Sequence, residues 1–324
     1  MDFKRIGVLT SGGDAPGMNA AIRSVVRTGI HYGLEVFGIK YGYEGLLKGV
    51  MIKMDARSVA NIIQRGGSIL GTSRTPEFKT KEGRKKGYEI LKKNNIDVLV
   101  VIGGEGSFAG ARELEIEHKV KIVCIPGTID NDISGTDYTI GFDTAVNTAI
   151  DAVDKIRDTA MSLERVFLIE VMGRNSGFIA AEVGLACGAE SILVPESGCD
   201  SKNLVEIIRE SEKKGKKCSI IVIAEGDESG GAFRVAEILK KELNLDPRVT
   251  VLGHIQRGGS PTARDRILAS RLGYETVNGI LHGQTGAMVG IINGKIVFTP
   301  ILESCNKKKS LDLTLLKIAE ILAK

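Results

Sequence analysis

Two carboxylates stand close together in a loop that follows a short apolar run, in the sequence Pro126-Gly127-Thr128-Ile129-Asp130-Asn131-Asp132. Carboxylates one residue apart can divide the work of phosphoryl transfer, because one can accept the proton of an attacking hydroxyl while the other reaches the metal shell. A bare Asp-Asn-Asp sequence also occurs as a capped turn. The two carboxylates are therefore a candidate catalytic site, and the support for it depends on the other motifs that accompany them.

Two glycine-rich loops accompany the carboxylates. One is Ser11-Gly12-Gly13-Asp14-Ala15-Pro16-Gly17 and the other is Gly103-Gly104-Glu105-Gly106-Ser107, and each follows an apolar run. Glycine lets backbone N–H groups approach an anion at a helix N-terminus. A glycine-rich sequence alone, however, does not distinguish such an anion site from a tight strand-to-helix turn. The second loop also carries Glu105, a carboxylate suited to Mg²⁺.

Glycine loops also bind dinucleotides, and that alternative predicts an acidic residue at the end of the following strand to hold a ribose. After the first loop, the next strand, 35–40, ends in lysine. After the second, the strand 121–126 ends in proline and is followed by glycine. Hydride transfer with a dinucleotide is therefore disfavoured.

The elements that position these loops alternate between short runs rich in valine and isoleucine and longer amphipathic segments. In residues 143–160, for example, Val146, Ile150, Val153 and Ile156 recur at helical spacing. Fully apolar strands separated by such helices indicate a parallel sheet covered on both faces. Since 324 residues exceed one average domain, we predict an α/β fold of two domains, each a mainly parallel sheet with helices on both faces.

The composition argues against several classes of protein. The net charge of +4 comes from nearly balanced acidic and basic residues, unlike the concentrated basic surface that binds nucleic acid. The five cysteines form no C-x-x-C pair, and the four histidines show no metal-ligand spacing. No apolar stretch reaches membrane-spanning length, and no signal peptide is recognisable. We expect a cytoplasmic protein with neither a nucleic-acid nor a membrane partner.

Seven motifs occur in an order that resembles the bacterial phosphofructokinases. They are LTSGGDAPGMNAAIR, NIIQRGGSILGTSRTPEF, VVIGGEGSFAGA, PGTIDND, TIGFDTA, VFLIEVMGR and VLGHIQRGGSP. The resemblance extends from Lys4 to about Gly290. It implies transfer of the γ-phosphoryl group of ATP, with Mg²⁺, to the 1-hydroxyl of fructose 6-phosphate in glycolysis. It also implies an allosteric homotetramer.

The resemblance assigns roles to individual residues. The catalytic set is Asp130 as general base, Thr128 beside it, and Gly13, Arg74 and Arg174 at the transferred phosphoryl group. The carboxylates that bear on Mg²⁺ are Glu105 and Asp132. ATP is expected along Gly13, Tyr43, Arg74, Thr75, Phe78, Gly106, Ser107, Phe108 and Gly110. The sugar is expected against Met172 and Glu225, and its 6-phosphate against His254 and Arg257 of one subunit and Arg165 and Arg248 of the neighbour.

The resemblance also links the choice of phosphoryl donor to two glycines. Pyrophosphate-dependent relatives carry Asp and Lys where this chain has Gly106 and Gly127, which favours ATP. Two departures leave a pyrophosphate-dependent enzyme as an alternative: Glu105 stands where aspartate is usual, and the segment after Arg174 is closer to some pyrophosphate-using relatives. A second alternative is a non-catalytic regulatory subunit that binds sugar phosphate. It predicts a missing base or metal acid, yet Asp130 and Asp132 are both present.

An allosteric nucleotide site is also implied, with ADP or phosphoenolpyruvate as its effector. Its residues would be Arg23, Arg27, Arg157, Lys214 and Lys216, with Glu190 as an Mg²⁺ carboxylate. Lys214 stands where arginine is common, so exposed helix charges are the alternative interpretation. We expect ATP to bind a larger domain of residues 1–141 with 256–305, and fructose 6-phosphate to bind a smaller domain of residues 142–255 with 306–324.

Overall fold

The structure, a computed structural model, describes residues 3–198, 201–216, 218–227 and 230–323. The strands in chain order are β1 (Arg5–Ser11), β2 (Glu35–Ile39), β3 (Met51–Met54), β4 (Val98–Gly103), β5 (Lys121–Pro126), β6 (Val166–Val171), β7 (Ser191–Leu193), β8 (Ser219–Ala224), β9 (Arg248–Val251), β10 (Ala287–Ile292) and β11 (Lys295–Pro300). The helices are α1 (Met18–His31), α2 (Gly42–Lys48), α3 (Lys81–Lys93), α4 (Glu105–His118), α5 (Phe142–Leu163), α6 (Phe178–Ala186), α7 (Ser201–Lys213), α8 (Gly231–Leu243), α9 (Ala263–Leu281), α10 (Ile301–Asn306) and α11 (Thr314–Leu322).

The chain divides into two units, each with its own sheet. Unit 1 consists of Met1–Ile129, Ile133–Thr144 and Arg257–Lys309, and unit 2 of Asp130–Asp132, Ala145–Gln256 and Ser310–Lys324. The short segment Asp130–Asp132 groups with unit 2, although it lies within the stretch that we expected in the first domain. The loop after β5 therefore crosses from one unit into the other.

Unit 1 is built on a sheet of seven strands in the order β11-β10-β5-β4-β1-β2-β3, counted over the described residues. The central strands β4 and β5 are apolar and buried along almost their whole length, as strands covered on both faces must be. Helices α1 and α9 pack together, and α4 packs against α3 and α10. A core that includes Leu9, Leu46, Phe108 and Leu114 joins strands and helices of this unit.

Unit 2 contains a parallel sheet in the order β7-β8-β6-β9. Its central strands β6 and β8 are buried, and helices α7 and α8 contribute Leu204, Ile208, Val235 and Leu239 to a second core. The prediction of an α/β fold with mainly parallel sheets is confirmed. The two antiparallel pairings, β2 with β3 and β10 with β11, lie at the edges of the larger sheet and were not predicted. No helix in the described ranges is long and apolar enough to cross a membrane.

Candidate active site

Three of the predicted loops follow neighbouring parallel strands of unit 1. The strand β1 pairs with β4, which aligns Ser11 with Gly103, and β4 pairs with β5, which aligns Gly103 with Pro126. The carboxyl ends of parallel strands meet at one edge of a sheet, where open α/β folds bind ligands. Both glycine loops and the start of the carboxylate loop therefore lie side by side.

The close approach of these loops requires small residues at two positions. A Cβ atom at Gly103 would lie 2.6 Å from the carbonyl oxygen of Ser11, which is closer than any side chain allows. Gly12 has a φ of 88°, in the left-handed region that favours glycine. The hydroxyl of Ser107 fills the space between them, 3.3 Å from the position that a Cβ at Gly12 would take. The glycines thus bring backbone of two loops together around the N-terminus of α4.

Arg257 lies directly against the first glycine loop. A Cβ atom at Gly13 would overlap its guanidinium group, and its Nη1 donates a hydrogen bond of 3.2 Å to the carbonyl oxygen of Asp14. The structure therefore brings together Gly13, predicted at the transferred phosphoryl group, and Arg257, predicted at the sugar phosphate. This places a cation beside backbone amides, an arrangement suited to an anion.

The loop that carries Arg74 and Thr75 is fixed by a residue that the sequence analysis did not single out. The buried amide of Asn19 donates 3.0 Å hydrogen bonds to the carbonyls of Arg65 and Gly66 and accepts one of 2.7 Å from the N–H of Ile69. Further along, the N–H of Gly12 donates to the carbonyl of Ser73 at 3.4 Å. Arg74 itself is exposed. The feature of the sequence that could have identified Asn19 is its polar amide on the otherwise apolar face of α1.

The predicted aromatic contacts of ATP form a packed cluster. The rings of Tyr43 and Phe78 stack with centroids 3.9 Å apart, and both side chains are buried. Gly110 fits under them, since a Cβ there would lie 3.3 Å from both rings. The Tyr43 hydroxyl donates a 2.6 Å hydrogen bond to the carbonyl of Ser107, and burial raises the pKa of that hydroxyl. Phe108 is also fully buried. The cluster supports the first turn of α4, and its contact with a nucleotide stays a prediction.

The residues expected near Mg²⁺ suit that ion by their chemistry. Glu105 is the exposed first residue of α4 in unit 1, and Asp132 is half-buried in unit 2. Among the described residues, no group of three or more histidine, cysteine, aspartate and glutamate side chains could hold a metal ion. Mg²⁺ is usually bound by one or two carboxylates together with substrate phosphates and waters, so it needs no such cage. The oxygen donors present therefore fit Mg²⁺.

In unit 2, Arg174 lies against Asp130. Its Nε is 3.4 Å from Oδ2 of Asp130, whose side chain is only 3% exposed while that of Arg174 is 52% exposed. Arg174 has a φ of 53°, unusual for a residue other than glycine. Its N–H donates a 2.7 Å hydrogen bond to the carboxylate of Glu225. Glu225, predicted to contact the sugar, thus also holds the backbone that presents the guanidinium group.

Gln256 joins two further parts of the predicted sugar site. It is fully buried, and its Oε1 accepts a 2.8 Å hydrogen bond from the N–H of Met172. The same short 3₁₀ helix, Gly253–Arg257, carries the exposed His254. Sequence reasoning missed Gln256, although its amide in the GHIQRGG motif was a visible signal. The structure therefore brings Met172 and the His254 segment together.

Arg165 and Arg248 lie at the other end of the same strands. Arg165 precedes β6 and Arg248 begins β9, whereas Met172 and His254 follow the carboxyl ends of those strands. Because β6 contains six residues, the two ends are about 20 Å apart. Both guanidinium groups contact Oδ2 of Asp246, at 3.1 Å from Arg165 and 3.2 Å from Arg248. One chain therefore separates the expected phosphate ligands into two groups.

The predicted effector residues are distributed over both units. Glu190, Lys214 and Lys216 line one cavity in unit 2, together with residues of α7 and the end of α11. Lys216 is 3.7 Å from Glu190, whose other oxygen accepts a 2.6 Å hydrogen bond from the N–H of Ile220. Arg157 donates to the carbonyl of Cys187 in the same unit. Arg23 and Arg27 lie on α1 in unit 1, and burial together with the charge of Arg27 lowers the pKa of Arg23.

Comparison with known proteins gives the family. The model of the Phosphofructokinase family matches residues 5–280. The ATP-dependent 6-phosphofructokinase 1 of Thermus thermophilus is 57% identical over 321 residues, covering 99% of this chain and 100% of that protein. The ATP-dependent 6-phosphofructokinase of Bacillus subtilis is 55% identical with the same coverage.

A solved structure agrees with these relatives. The phosphofructokinase of Saccharomyces cerevisiae superposes with a TM-score of 0.87 at 38% identity, covering 99% of this chain and 48% of the yeast chain. The chain thus spans about half the length of that protein. The full-length matches and the shared fold have one explanation: the chain belongs to the phosphofructokinase family.

Proposed function

We propose that the chain transfers the γ-phosphoryl group of ATP to the 1-hydroxyl of fructose 6-phosphate, giving fructose 1,6-bisphosphate and ADP, as a cytoplasmic step of glycolysis. Relatives that match its whole length at 55% and 57% identity are named as ATP-dependent 6-phosphofructokinases, which supports this reaction. The structural observation that carries the proposal is the buried carboxylate of Asp130 beside the half-exposed guanidinium of Arg174.

Asp130 is the proposed general base. Its carboxylate accepts the proton of the sugar 1-hydroxyl as that oxygen attacks phosphorus. Arg174 neutralises charge on the equatorial oxygens of the phosphoryl group, a role that suits a planar guanidinium. The 3.4 Å contact between these side chains supports a shared location. Thr128, two residues before Asp130, is the proposed hydroxyl neighbour.

The loops of unit 1 are the proposed binding site of ATP. The N–H of Gly13 and the guanidinium of Arg74 stabilise the transferred group, and the N-terminus of α4 binds the phosphates. Glu105 and Asp132 would bear on Mg²⁺, which when bound supplies positive charge against the phosphates. Tyr43 and Phe78 pack against α4 at Gly110, and the buried Phe108 of α4 belongs to the same core, so this packing supports a fixed position for the helix.

ATP is the proposed donor because the position of Gly106 is open. A Cβ atom at Gly106 would meet no atom within 4 Å apart from its chain neighbours and the backbone of its own helix, so the surface of α4 is open at this position. Gly127 is different, since a Cβ there would lie 3.1 Å from Ile102 and 3.2 Å from Met18, two buried side chains. Open space at Gly106 therefore supports ATP more directly than the glycine at 127 does.

Opposite ends of β6 and β9 carry the two groups of residues proposed for the 6-phosphate. Met172, Glu225 and His254 are the group at the carboxyl ends of the strands in unit 2, and Arg257 follows His254 in sequence. Arg165 and Arg248, at the amino ends, are about 20 Å from the residues after the strands. The distance supports a site completed by a second copy of the chain, and we propose a homotetramer.

An effector site is proposed at the cavity lined by Glu190, Lys214 and Lys216. Lysines beside a carboxylate can hold a nucleoside diphosphate with its cation, or a small phosphorylated acid without it. ADP and phosphoenolpyruvate are the proposed effectors, with Arg157, Arg23 and Arg27 as further cationic ligands.

One assay tests the proposed function. Purified protein is incubated with fructose 6-phosphate and Mg²⁺ and with either ATP or pyrophosphate, and the bisphosphate is measured. ATP should give rapid product formation and pyrophosphate none. Turnover with pyrophosphate alone would indicate the pyrophosphate-dependent class, and binding of fructose 6-phosphate without product would indicate a regulatory subunit.

A further inference from the structure

Asp246 is an exposed carboxylate to which the sequence motifs assign no role, and it lies between the two arginines proposed for the 6-phosphate. One oxygen, Oδ2, receives both guanidinium groups, with Arg165 Nη1 at 3.1 Å and Arg248 Nη2 at 3.2 Å. The carboxylate is 67% exposed, and the two arginine side chains are 38% and 50% exposed. A single anionic oxygen therefore already occupies the position between two cations.

The register of the sheet produces this arrangement. The strands β6 and β9 run parallel with Phe167 opposite Arg248, so two residues earlier Arg165 faces Asp246. Pro247 disfavours a helical conformation at Asp246 and keeps the segment extended. Residues two apart in an extended segment point to the same side, which directs Asp246 and Arg248 together. Strand pairing therefore brings the backbones of the three residues close enough for the side-chain contact.

The chemistry of the contact is that of an internal counter-ion. Two guanidinium groups with one carboxylate leave a net charge of about +1 where a phosphate dianion has to bind. Each exposed ion pair is worth at most about a factor of five in an equilibrium constant, so a stronger anion can displace it. Any ligand that bears a phosphate has to displace the carboxylate before it can bind both arginines, so the contact lowers the affinity for each such ligand by the same factor.

We infer that Asp246 occupies the arginine pair as an internal anion that a phosphate-bearing ligand has to displace, and that it thereby sets the affinity of this pair for phosphate groups. The inference rests on the proposed function for the sugar substrate. The claim that the Asp246 carboxylate competes with other anions for the two arginines rests only on the geometry around its Oδ2 atom. It predicts that removing this negative charge strengthens the binding of inorganic phosphate and of fructose 6-phosphate by similar factors.

The test compares Asp246→Asn with Asp151→Asn. Asp151 is also a surface carboxylate, 70% exposed and paired with Lys155 on α5, so the control removes the same charge elsewhere. Inorganic phosphate is titrated calorimetrically into the assembled wild type and both variants. Asp246→Asn should bind phosphate about three- to tenfold more tightly, with a difference that shrinks at high salt. Asp151→Asn should match the wild type.

Kinetics supply the second measurement. Asp246→Asn should lower the KM for fructose 6-phosphate by about three- to tenfold with little change in kcat, and it should make phosphate a stronger competitive inhibitor. Asp246→Glu, which keeps the charge, should resemble the wild type in both experiments. Unchanged or weaker phosphate binding by Asp246→Asn, or a raised KM, would overturn the inference. Absence of any turnover by the wild type would instead refute the proposed function, and the titration would still decide the role of Asp246.

Discussion

Nε of Arg174 lies 3.4 Å from Oδ2 of Asp130, and the two residues come from loops that follow different strands, β5 and β6. The carboxylate of Asp130 is buried, and the guanidinium of Arg174 is about half exposed to solvent. The hydrogen bond from the N–H of Arg174 to Glu225 fixes the backbone beneath that guanidinium. A charged group held over a buried base is an arrangement that can accept an anionic substrate without reorganising.

Glu105 should affect turnover through Mg²⁺. If its carboxylate bears on the metal shell, Glu105→Ala should lower kcat strongly at saturating substrates and shift the dependence of the rate on Mg²⁺ to higher concentrations. Glu105→Asp, which keeps the carboxylate, should retain most of the rate. The measurement is kcat against Mg²⁺ concentration for the three proteins. A wild-type Mg²⁺ profile in the alanine variant would leave Glu105 as a solvated charge at the start of α4.

A shared sugar-phosphate site should show complementation between inactive variants. Arg165→Ala and His254→Ala remove ligands at opposite ends of the strands in unit 2, so a mixed oligomer contains some sites with neither defect. Activity at modest fructose 6-phosphate should therefore return when the two variants are refolded together.

The chain offers a matched control for this mixing. Arg165 and Arg248 lie at the same end and share Asp246, so Arg165→Ala mixed with Arg248→Ala should restore nothing. Recovery in both mixtures, or in neither despite proven hetero-oligomers, would contradict a site divided between subunits in this way.

Gly106 is the position at which the choice of phosphoryl donor can be tested without disturbing the packing of the protein. Its surroundings are open, so Gly106→Asp should fold normally while placing bulk and negative charge where ATP is expected. We predict a rise in the KM for ATP of at least about tenfold, with a smaller rise for Gly106→Asn, which adds bulk without charge. Gly127→Lys is less informative because it also presses on Ile102 and Met18. An unchanged KM for ATP in Gly106→Asp would remove this glycine from the binding site.

Stability should depend on a partly buried ion pair behind the loops of unit 1. Arg84 and Glu117 form two parallel hydrogen bonds of 2.7 Å, and Arg84 also donates a 2.7 Å hydrogen bond to the carbonyl of Lys79. Their side chains are 7% and 17% exposed. We expect Glu117→Gln to lower the free energy of unfolding by about 2 kcal/mol, because a charged acceptor is lost beside a buried cation. Glu77→Gln, at an exposed pair with Lys86, should cost under about 0.5 kcal/mol.

The same pair predicts a dependence on pH. The hydrogen bonds from Arg84 lower the pKa of Glu117 below its ordinary value. A carboxyl whose pKa is lowered in the folded state contributes stability that is complete above its unfolded pKa of about 4.3 and is lost as pH falls through the lower folded value. The difference between wild type and Glu117→Gln should therefore be largest near neutral pH and shrink below about pH 4. Unfolding curves across this range test it, and a difference that grows in acid would be inconsistent with the pairing.

Local patterns predicted the central strands and the order of the loops, because fully apolar runs and glycine turns are local features. The helix predicted in residues 143–160 is α5, Phe142–Leu163. The hairpin of β10 and β11 was missed although Asn293 and Gly294, with φ of 50° and 77°, form the turn that an Asn-Gly pair favours. The short edge strand β3 has two exposed residues in four and gives almost no pattern.

Contacts between distant segments could not be read from the sequence. The stacking of Tyr43 on Phe78 and the approach of Arg174 to Asp130 depend on how separate elements pack. The same holds for Asp246, whose position between two arginines follows from the register of β6 and β9 and has no motif of its own. Strand register is set by the packing of the whole sheet, which no single segment encodes.

Replacement of Asp130 by asparagine is the sharpest test of this carboxylate as the general base. The variant keeps the size of the side chain and the neutral part of its hydrogen bonding but cannot accept the proton of the sugar hydroxyl. The measurement is kcat with ATP and fructose 6-phosphate at saturation, together with the dissociation constant for fructose 6-phosphate. We predict a kcat lower by at least about a hundredfold with binding changed by less than about threefold, because the base acts in the transition state. A variant that turns over at a near wild-type rate would contradict this role of Asp130.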